Sequence, residues 1–209
     1  MSIRRDFTSS SLVLITGANG HVAQHVLSEL LSRPVHRRPR VRATVRSESS
    51  AAAVQSVFRE HILAGGLEIV LIKDIAAPHA FDSAVQSCTH IRHIASPLVV
   101  SPKDTENDLL IPAIRGTLSL LQSAQHSSSL ERVVITGSFV SVVDLAQDFR
   151  PGYTYTPSDW NPITYEQAAD PNLDLTVWSP RWRPFITYMA SKKLAEKAAW
   201  DFYERERPR

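Results

Sequence analysis

A tyrosine and a lysine near the end of the chain have the spacing that proton transfer needs. Tyr188 and Lys192 are four residues apart, so a helix would place both side chains on one face. A phenol with an ordinary pKa of about 10 exchanges protons poorly at neutral pH. A neighbouring ammonium group favours the phenolate and lowers that pKa. The pair is therefore predicted to deliver a proton to an oxygen atom or to remove one.

A hydroxyl side chain suited to the same chemistry follows the fifth apolar segment. Ser138 stands directly after residues 133–137, Val-Val-Ile-Thr-Gly. The carboxyl ends of parallel strands form the edge of a sheet where ligands bind. Ser138 is therefore predicted to hold a substrate oxygen beside Tyr188, and Ser138, Tyr188 and Lys192 form the predicted catalytic set.

A glycine-rich turn near the start of the chain predicts a phosphate-binding loop. Apolar residues 12–16 lead directly into Gly17-x-x-Gly20-x-x-Ala23. Gly17 permits a tight turn, Gly20 lets the backbone approach a pyrophosphate, and small Ala23 allows close packing of helix on strand. Free N–H groups at the start of a helix favour a negative charge. The predicted contacts with a dinucleotide are Gly17, Asn19, Gly20, His21 and Val22, with a packed or exposed histidine as the alternative for His21.

The end of the second strand distinguishes the two nicotinamide cofactors. An acidic residue there binds the ribose of NAD, whereas an arginine accommodates the 2′-phosphate of NADP. Residues 41–47 read Val-Arg-Ala-Thr-Val-Arg-Ser, and no carboxylate precedes Glu48. Arg46 is the predicted phosphate-binding residue, and NADPH is the predicted cofactor. The alternative is that Arg46 is a solvated loop arginine.

Further cofactor contacts are predicted where the third and fourth strands end. Asp74 is placed to accept a hydrogen bond from the adenine amino group, and Ile75 to pack on the ring. The small residues Ala95 and Ser96 would let the backbone pass close to a flat ligand. Turns after strands use Asp and Ser in any case, so a purely structural role is the alternative. Tyr188 and Lys192 are also predicted cofactor contacts, with Lys192 reaching the ribose hydroxyls next to the nicotinamide.

Short apolar runs alternate with longer helical patterns, and this predicts an α/β fold with a Rossmann-type, doubly wound parallel sheet in a single domain, residues 1–209. The predicted strands are residues 12–16, 41–45, 67–72, 90–95 and 132–136. The predicted helices are residues 23–31, 49–64, 80–87, 107–125 and 185–205.

Residues 150–184 contain six prolines and are predicted to form a functional loop over the active-site edge, with a disordered surface insertion as the alternative.

Composition limits the classes of partner. The net charge of +2 argues against nucleic acid or an anionic membrane. The single cysteine, Cys88, excludes an intrachain disulfide and a multi-cysteine zinc site, and no metal site is predicted. No apolar stretch approaches a signal peptide or a membrane span. The expectation is a cytoplasmic protein whose partner is a small molecule with a carbonyl or alcohol group.

These residues resemble the extended short-chain dehydrogenase/reductase family, and most closely its dihydroflavonol reductase-like branch with the fungal ketone and aldehyde reductases. The segments that carry the resemblance beyond the predicted catalytic set are residues 93–97 (HIASP), 111–117 (IPAIRGT), 159–165 (DWNPITY) and 195–200 (AEKAAW). The resemblance implies NADPH as cofactor. It also implies that a hydride passes to a carbonyl carbon while Tyr188 delivers a proton to the oxygen.

The chain also departs from this family. Members are typically much longer, with a substrate-binding lobe after the Tyr/Lys helix, and Arg92 interrupts a strand that should be apolar. A missing lobe predicts an uncovered sheet edge and self-association through it. Two alternatives to a reductase stay open: a truncated, catalytically inactive NADP-binding module, and an NAD-dependent epimerase or dehydratase of the same fold.

Overall fold

The computed structural model describes residues 7–99, 102–144 and 150–206. The chain divides into two compact units. The first combines residues 1–95 with 122–136, and the second combines residues 96–121 with 137–209. The single-domain organisation stays a prediction.

The first unit contains a sheet of five parallel strands in the order β3-β2-β1-β4-β5. The strands are β1 (Leu12–Thr16), β2 (Arg40–Val45), β3 (Leu67–Leu71), β4 (His90–His93) and β5 (Arg132–Ile135). The chain moves outward from β1 through β2 to β3 and then returns to the other side of β1 as β4. This reversal creates a crevice between the carboxyl ends of β1 and β4. The predicted Rossmann-type parallel sheet is confirmed.

Helices α1 (His21–Leu31) and α2 (Glu48–Leu63) follow β1 and β2. Alternate residues of a strand point to opposite faces of the sheet. On one face, Val13 and Ile15 of β1 belong to one buried cluster with Ala23 and Leu27 of α1. This burial fixes the direction in which the turn between β1 and α1 leaves the sheet.

The predicted helix over residues 80–87 is wrong. That segment is a series of turns, and His79 and Ser87 at its two ends have positive φ angles of 61° and 62°. Left-handed residues interrupt a right-handed helix. Arg42 of β2 holds the segment in place, because its Nη1 donates to the carbonyl oxygens of Ala84 at 2.7 Å and Gln86 at 2.8 Å.

The only cysteine of the chain directly follows this segment. Cys88 is fully buried, and its Sγ donates to the Ala84 carbonyl oxygen at 3.3 Å. Burial raises the pKa of the Cys88 thiol, and this effect outweighs the nearby guanidinium of Arg42, which lowers it. Cys88 is therefore a packing residue.

The second unit is largely helical. A π-helical turn (Glu106–Leu110) leads into α3 (Ile111–Gln125). The last four residues of α3 belong to the first unit. Two further helices follow, α4 (Tyr165–Ala169) and α5 (Ile186–Glu206). A buried cluster joins Leu110, Val140, Ile163, Met189 and Ala190. Within residues 150–184, α4 begins with a reciprocal capping box, in which the Thr164 and Gln167 side chains bond each other's backbone N–H groups.

Two kinds of feature are absent from the described ranges. No helix there is both long enough and apolar enough to cross a membrane. No group of three or more His, Cys, Asp or Glu side chains in those ranges could hold a metal ion.

Candidate functional site

The glycine turn after β1 lies directly against the chain that leaves β4. Gly17 has φ of +70°, a conformation that side chains disfavour. A Cβ on Gly17 would lie 3.0 Å from the Cα atom of Ala95. The Gly20 N–H donates to the Gly17 carbonyl oxygen at 2.9 Å and closes the turn. The structure thus brings together Gly17, Gly20 and Ala95, three residues predicted to contact the cofactor.

The start of α1 is suited to an anion. Gly20 is the N-cap residue and has no side chain with which to cap the helix, and the first turn of the helix contains no acidic residue. The first N–H groups of a helix have no acceptor within the helix, and the helix dipole adds positive potential there. His21 and Val22 are the first two helical residues, and both are exposed. The backbone cradle and the uncapped helix start fit the pyrophosphate of a dinucleotide.

Two other predicted residues of this loop have specific neighbours. The His21 ring packs edge-to-face on His25, with 4.8 Å between ring centroids. Asn19 is exposed, and its carbonyl oxygen accepts from Nε2 of Gln24 at 3.1 Å. Their contact with a cofactor stays a prediction.

Arg46 follows the last residue of β2 and is exposed. Among the described residues it has no hydrogen-bond or ion-pair partner in the structure. The side chain of the adjacent Ser47 already has a hydrogen-bond partner. Its Oγ accepts from the Ser50 N–H at 3.2 Å and caps α2. The Arg46 guanidinium is thus the group next to β2 that is available to an anionic ligand.

Asp74 and Ile75 follow β3 in a turn. Asp74 is exposed, and its Oδ1 accepts from the Ala76 N–H at 2.8 Å, which is the ordinary use of aspartate in a turn. Ile75 is half-buried. The structure therefore gives Asp74 a structural role and leaves its predicted contact with adenine, and that of Ile75, as predictions.

In the second unit, the turn that follows Ser138 and the helix that contains Tyr188 contribute to one packed cluster. Ser138 is the N-cap residue of a short 3-10 turn, Phe139–Ser141, and this turn packs against α5. Val140 of the turn is buried in the cluster that contains Met189, and Tyr188 packs against the same cluster. Ser96, predicted beside Ala95 in the cofactor site, is half-buried and belongs to this second unit.

Lys192 lies one helical turn after Tyr188 in α5 and is half-buried. Burial lowers the pKa of Lys192, whereas the carboxylate of Glu196, one turn further on, raises it. Gly137 gives this carboxylate room, since a Cβ there would lie 3.2 Å from Glu196 Oε2. Sequence reasoning missed Glu196, although its four-residue spacing from Lys192 was a usable signal.

A second lysine and a second tyrosine, Lys193 and Tyr165, have structural roles instead. Lys193 is committed to the fold, because its Nζ donates to the Ile163 carbonyl oxygen at 2.8 Å. Tyr165 donates its hydroxyl to Glu106 Oε1 at 2.6 Å, and this bond raises the pKa of Tyr165 to about 12. A proton donor near neutral pH needs the opposite shift, so Tyr165 is a structural tyrosine.

A parallel sheet with the order β3-β2-β1-β4-β5 and a glycine turn at its switch point defines a Rossmann-type dinucleotide-binding fold. Residues 14–166 match the 3-beta hydroxysteroid dehydrogenase/isomerase family, and the chain belongs to it. This confirms the resemblance to the extended short-chain dehydrogenases and reductases.

Curated relatives include fungal reductases. The chain is 33% identical over 201 residues to the NADPH-dependent methylglyoxal reductase of Saccharomyces cerevisiae, a match that covers 93% of this chain and 53% of that protein. It is 34% identical over 203 residues to aldehyde reductase 2 of Sporidiobolus salmonicolor, covering 95% of this chain and 54% of that protein. The chain therefore spans about half the length of the curated relatives it matches.

A solved structure agrees with the fold. The crystal structure of yeast methylglyoxal/isovaleraldehyde reductase complexed with NADPH matches this chain with a TM-score of 0.79 at 33% identity. The match covers 94% of this chain and 54% of that one.

Gly17→Ala tests the close approach at the nucleotide turn, and Gly65→Ala is its matched control. Both glycines have φ near +70°, but an added Cβ meets the backbone of Ala95 at position 17 and nothing within 4 Å at position 65. Both variants lose about 1 kcal/mol of stability from backbone strain. We expect Gly17→Ala to lose more and to abolish dinucleotide binding, while Gly65→Ala keeps it. Denaturant melts and fluorescence titration measure the two effects. Equal behaviour of the two variants contradicts the assignment.

Proposed function

We propose that this chain binds NADPH and reduces the carbonyl group of an aldehyde or ketone, with alcohol oxidation as the reverse reaction. The observation that carries the proposal is the presence, in one chain, of a glycine cradle at an uncapped helix start and a Ser138–Tyr188–Lys192 set. The names of the relatives, an NADPH-dependent methylglyoxal reductase and an aldehyde reductase, support the same cofactor and substrate class.

Each residue of the set has a distinct part in this proposal. NADPH, when bound, supplies the hydride that reduces the carbonyl carbon. Ser138 donates a hydrogen bond to the substrate carbonyl oxygen and orients it. Tyr188 transfers its phenolic proton to that oxygen, so that the product is the alcohol. Lys192 stabilises the phenolate that Tyr188 then carries, and Glu196 favours the ammonium form of Lys192 that burial disfavours.

The cofactor preference depends on Arg46 in this proposal. An exposed guanidinium after β2 binds the 2′-phosphate of NADPH through charge-assisted hydrogen bonds, which are among the strongest in proteins. NADH has no such phosphate. The same residue disfavours the NAD-dependent epimerase or dehydratase alternative.

The second candidate function is an NADP-binding module without turnover. It is the alternative to the reductase, and a turnover measurement distinguishes the two. A cytoplasmic location stays a prediction.

We further propose that copies of the chain associate through β5. In the described part of the chain, β5 is an edge strand of the sheet, paired on one side only. Its Val134 side chain is 37% exposed. Unpaired strand edges with apolar side chains are templates for association.

The first prediction concerns cofactor binding by the purified chain. We expect NADPH to bind at least about tenfold more tightly than NADH, because only NADPH offers a phosphate to Arg46. Arg46→Ala should remove this difference and leave NADH affinity unchanged. Arg40→Ala, an exposed arginine at the start of the same strand, is the control that should change neither. Equal affinity of the wild-type chain for both cofactors contradicts the assignment of Arg46.

The second prediction concerns turnover, measured as NADPH oxidation with methylglyoxal or isovaleraldehyde as probe substrates. Tyr188→Phe should lower the rate by about 10² or more, because it removes the hydroxyl group that transfers the proton. Lys192→Met should lower both rate and affinity. Lys193→Met should retain both, because Lys193 bonds the Ile163 carbonyl instead. NADPH binding without turnover in the wild-type chain would favour the module over the reductase.

The third prediction concerns self-association. Val134→Lys places a charge on the exposed apolar position of β5 and should shift sedimentation velocity profiles toward monomer. Val35→Lys is the control, because Val35 is 74% exposed in a 3-10 turn and is not part of a strand. A wild-type chain that is monomeric at every concentration, or equal effects of both variants, would contradict this interface.

A further inference from the structure

The hydroxyl of Thr16 joins the ends of β1 and β4. Thr16 is fully buried, and its Oγ1 accepts from the backbone N–H of Ile94 at 3.0 Å and of Ala95 at 2.9 Å. The same oxygen lies 2.9 Å from Nδ1 of His93, a residue that is 3% exposed. We call these four residues and their three hydrogen bonds the Thr16 clasp.

Hydrogen-bond valence determines the direction of the bond between Thr16 and His93. A hydroxyl oxygen has two lone pairs and one hydrogen. Both lone pairs of Thr16 Oγ1 are used by the amides of Ile94 and Ala95, so the hydroxyl hydrogen is donated to His93 Nδ1. His93 must therefore be neutral, with its ring proton on Nε2.

A His93 ring protonated on both nitrogens, or a neutral ring with its proton on Nδ1, would break this arrangement. It would direct an Nδ1–H group at an oxygen whose lone pairs are already used. It would also leave the Thr16 hydroxyl hydrogen without that acceptor in a buried position, which is costly.

The Thr16 clasp extends the contact between β1 and β4 past the end of their ladder. The register of the two strands ends at the pair Ile15 and Arg92. Beyond this pair, the Thr16 hydroxyl joins the two segments through the backbone amides of Ile94 and Ala95. Ala95, which it holds, is the residue whose Cα would meet a Cβ on Gly17 at 3.0 Å.

We propose that His93 is a positioning residue for the dinucleotide turn. By accepting the Thr16 hydroxyl proton it directs the oxygen lone pairs at two backbone amides and holds Ala95 against Gly17. The consequence for cofactor affinity rests on the proposed function. The tautomer of His93 and the hydrogen bonds of the clasp are independent of the proposed function.

The first test is the tautomer in the cofactor-free full chain, measured by long-range proton–nitrogen NMR on histidine labelled with nitrogen-15. His93 is identified by the signal that disappears in His93→Asn. The expected result is a neutral ring protonated on Nε2. A ring protonated on Nδ1, or on both nitrogens at neutral pH, overturns the proposal.

The second test compares variants in matched pairs. His93→Phe keeps the ring that packs edge-to-face on Phe81 but removes the acceptor, whereas His93→Asn offers an amide oxygen near the position of Nδ1. Thr16→Val removes the hydroxyl and Thr16→Ser retains it. We expect faster amide hydrogen exchange at Ile94 and Ala95 in His93→Phe and Thr16→Val, and wild-type exchange in His93→Asn and Thr16→Ser.

NADPH titration of the same four variants supplies the cofactor readout. Loss of the Thr16–His93 hydrogen bond in His93→Phe should weaken affinity by about tenfold. Thr16→Val loses all three bonds of the clasp and should weaken affinity by at least as much, whereas the conservative variants should weaken it by less than about twofold. Equal effects of His93→Asn and His93→Phe on exchange overturn the proposal. If the wild-type chain binds no NADPH, the proposed function fails, and the tautomer and exchange measurements alone decide on the clasp.

Discussion

The close approach of two backbone segments, at Gly17 and Ala95, is the constraint on which the nucleotide site depends. The sheet order puts β1 between β2 and β4, so the chain leaves β1 at the point where neighbouring connections run to opposite sides. Only a residue without a side chain fits there, because a Cβ would lie 3.0 Å from the Cα of Ala95. The uncapped start of α1 and the exposed Arg46 can serve one ligand only if this turn stays closely packed on β4.

In the second unit, two opposing effects act on the pKa of Lys192. Lys192 must be close to Tyr188 to stabilise a phenolate, yet burial disfavours its charge. Glu196 counteracts this penalty from the next helical turn, and the absence of a side chain at Gly137 provides the space it occupies. Lys193, the adjacent residue, instead anchors the Ile163 carbonyl to α5. Of these two consecutive lysines, Lys193 has a structural contact and Lys192 is the one proposed for catalysis.

The strands and most helices were predictable because their signals are local. Apolar runs for β1 to β5 and the helical spacing of Tyr188 and Lys192 need no knowledge of distant residues. The segment over residues 80–87 was not predictable, because Arg42, which holds it as turns, lies about forty residues away in β2. The helix α4 was missed although its Thr-x-x-Gln capping box is a local signal. The bond between Thr16 and His93 joins residues 77 positions apart, so no spacing rule reveals it.

The burial of Cys88 has a practical consequence for thiol chemistry. Alkylating reagents react with an accessible thiolate, and Cys88 is both fully buried and shifted toward the protonated thiol. It is also the only cysteine in the sequence. A cysteine introduced on an exposed surface would therefore carry a spin label or fluorophore alone, with the native sequence otherwise intact.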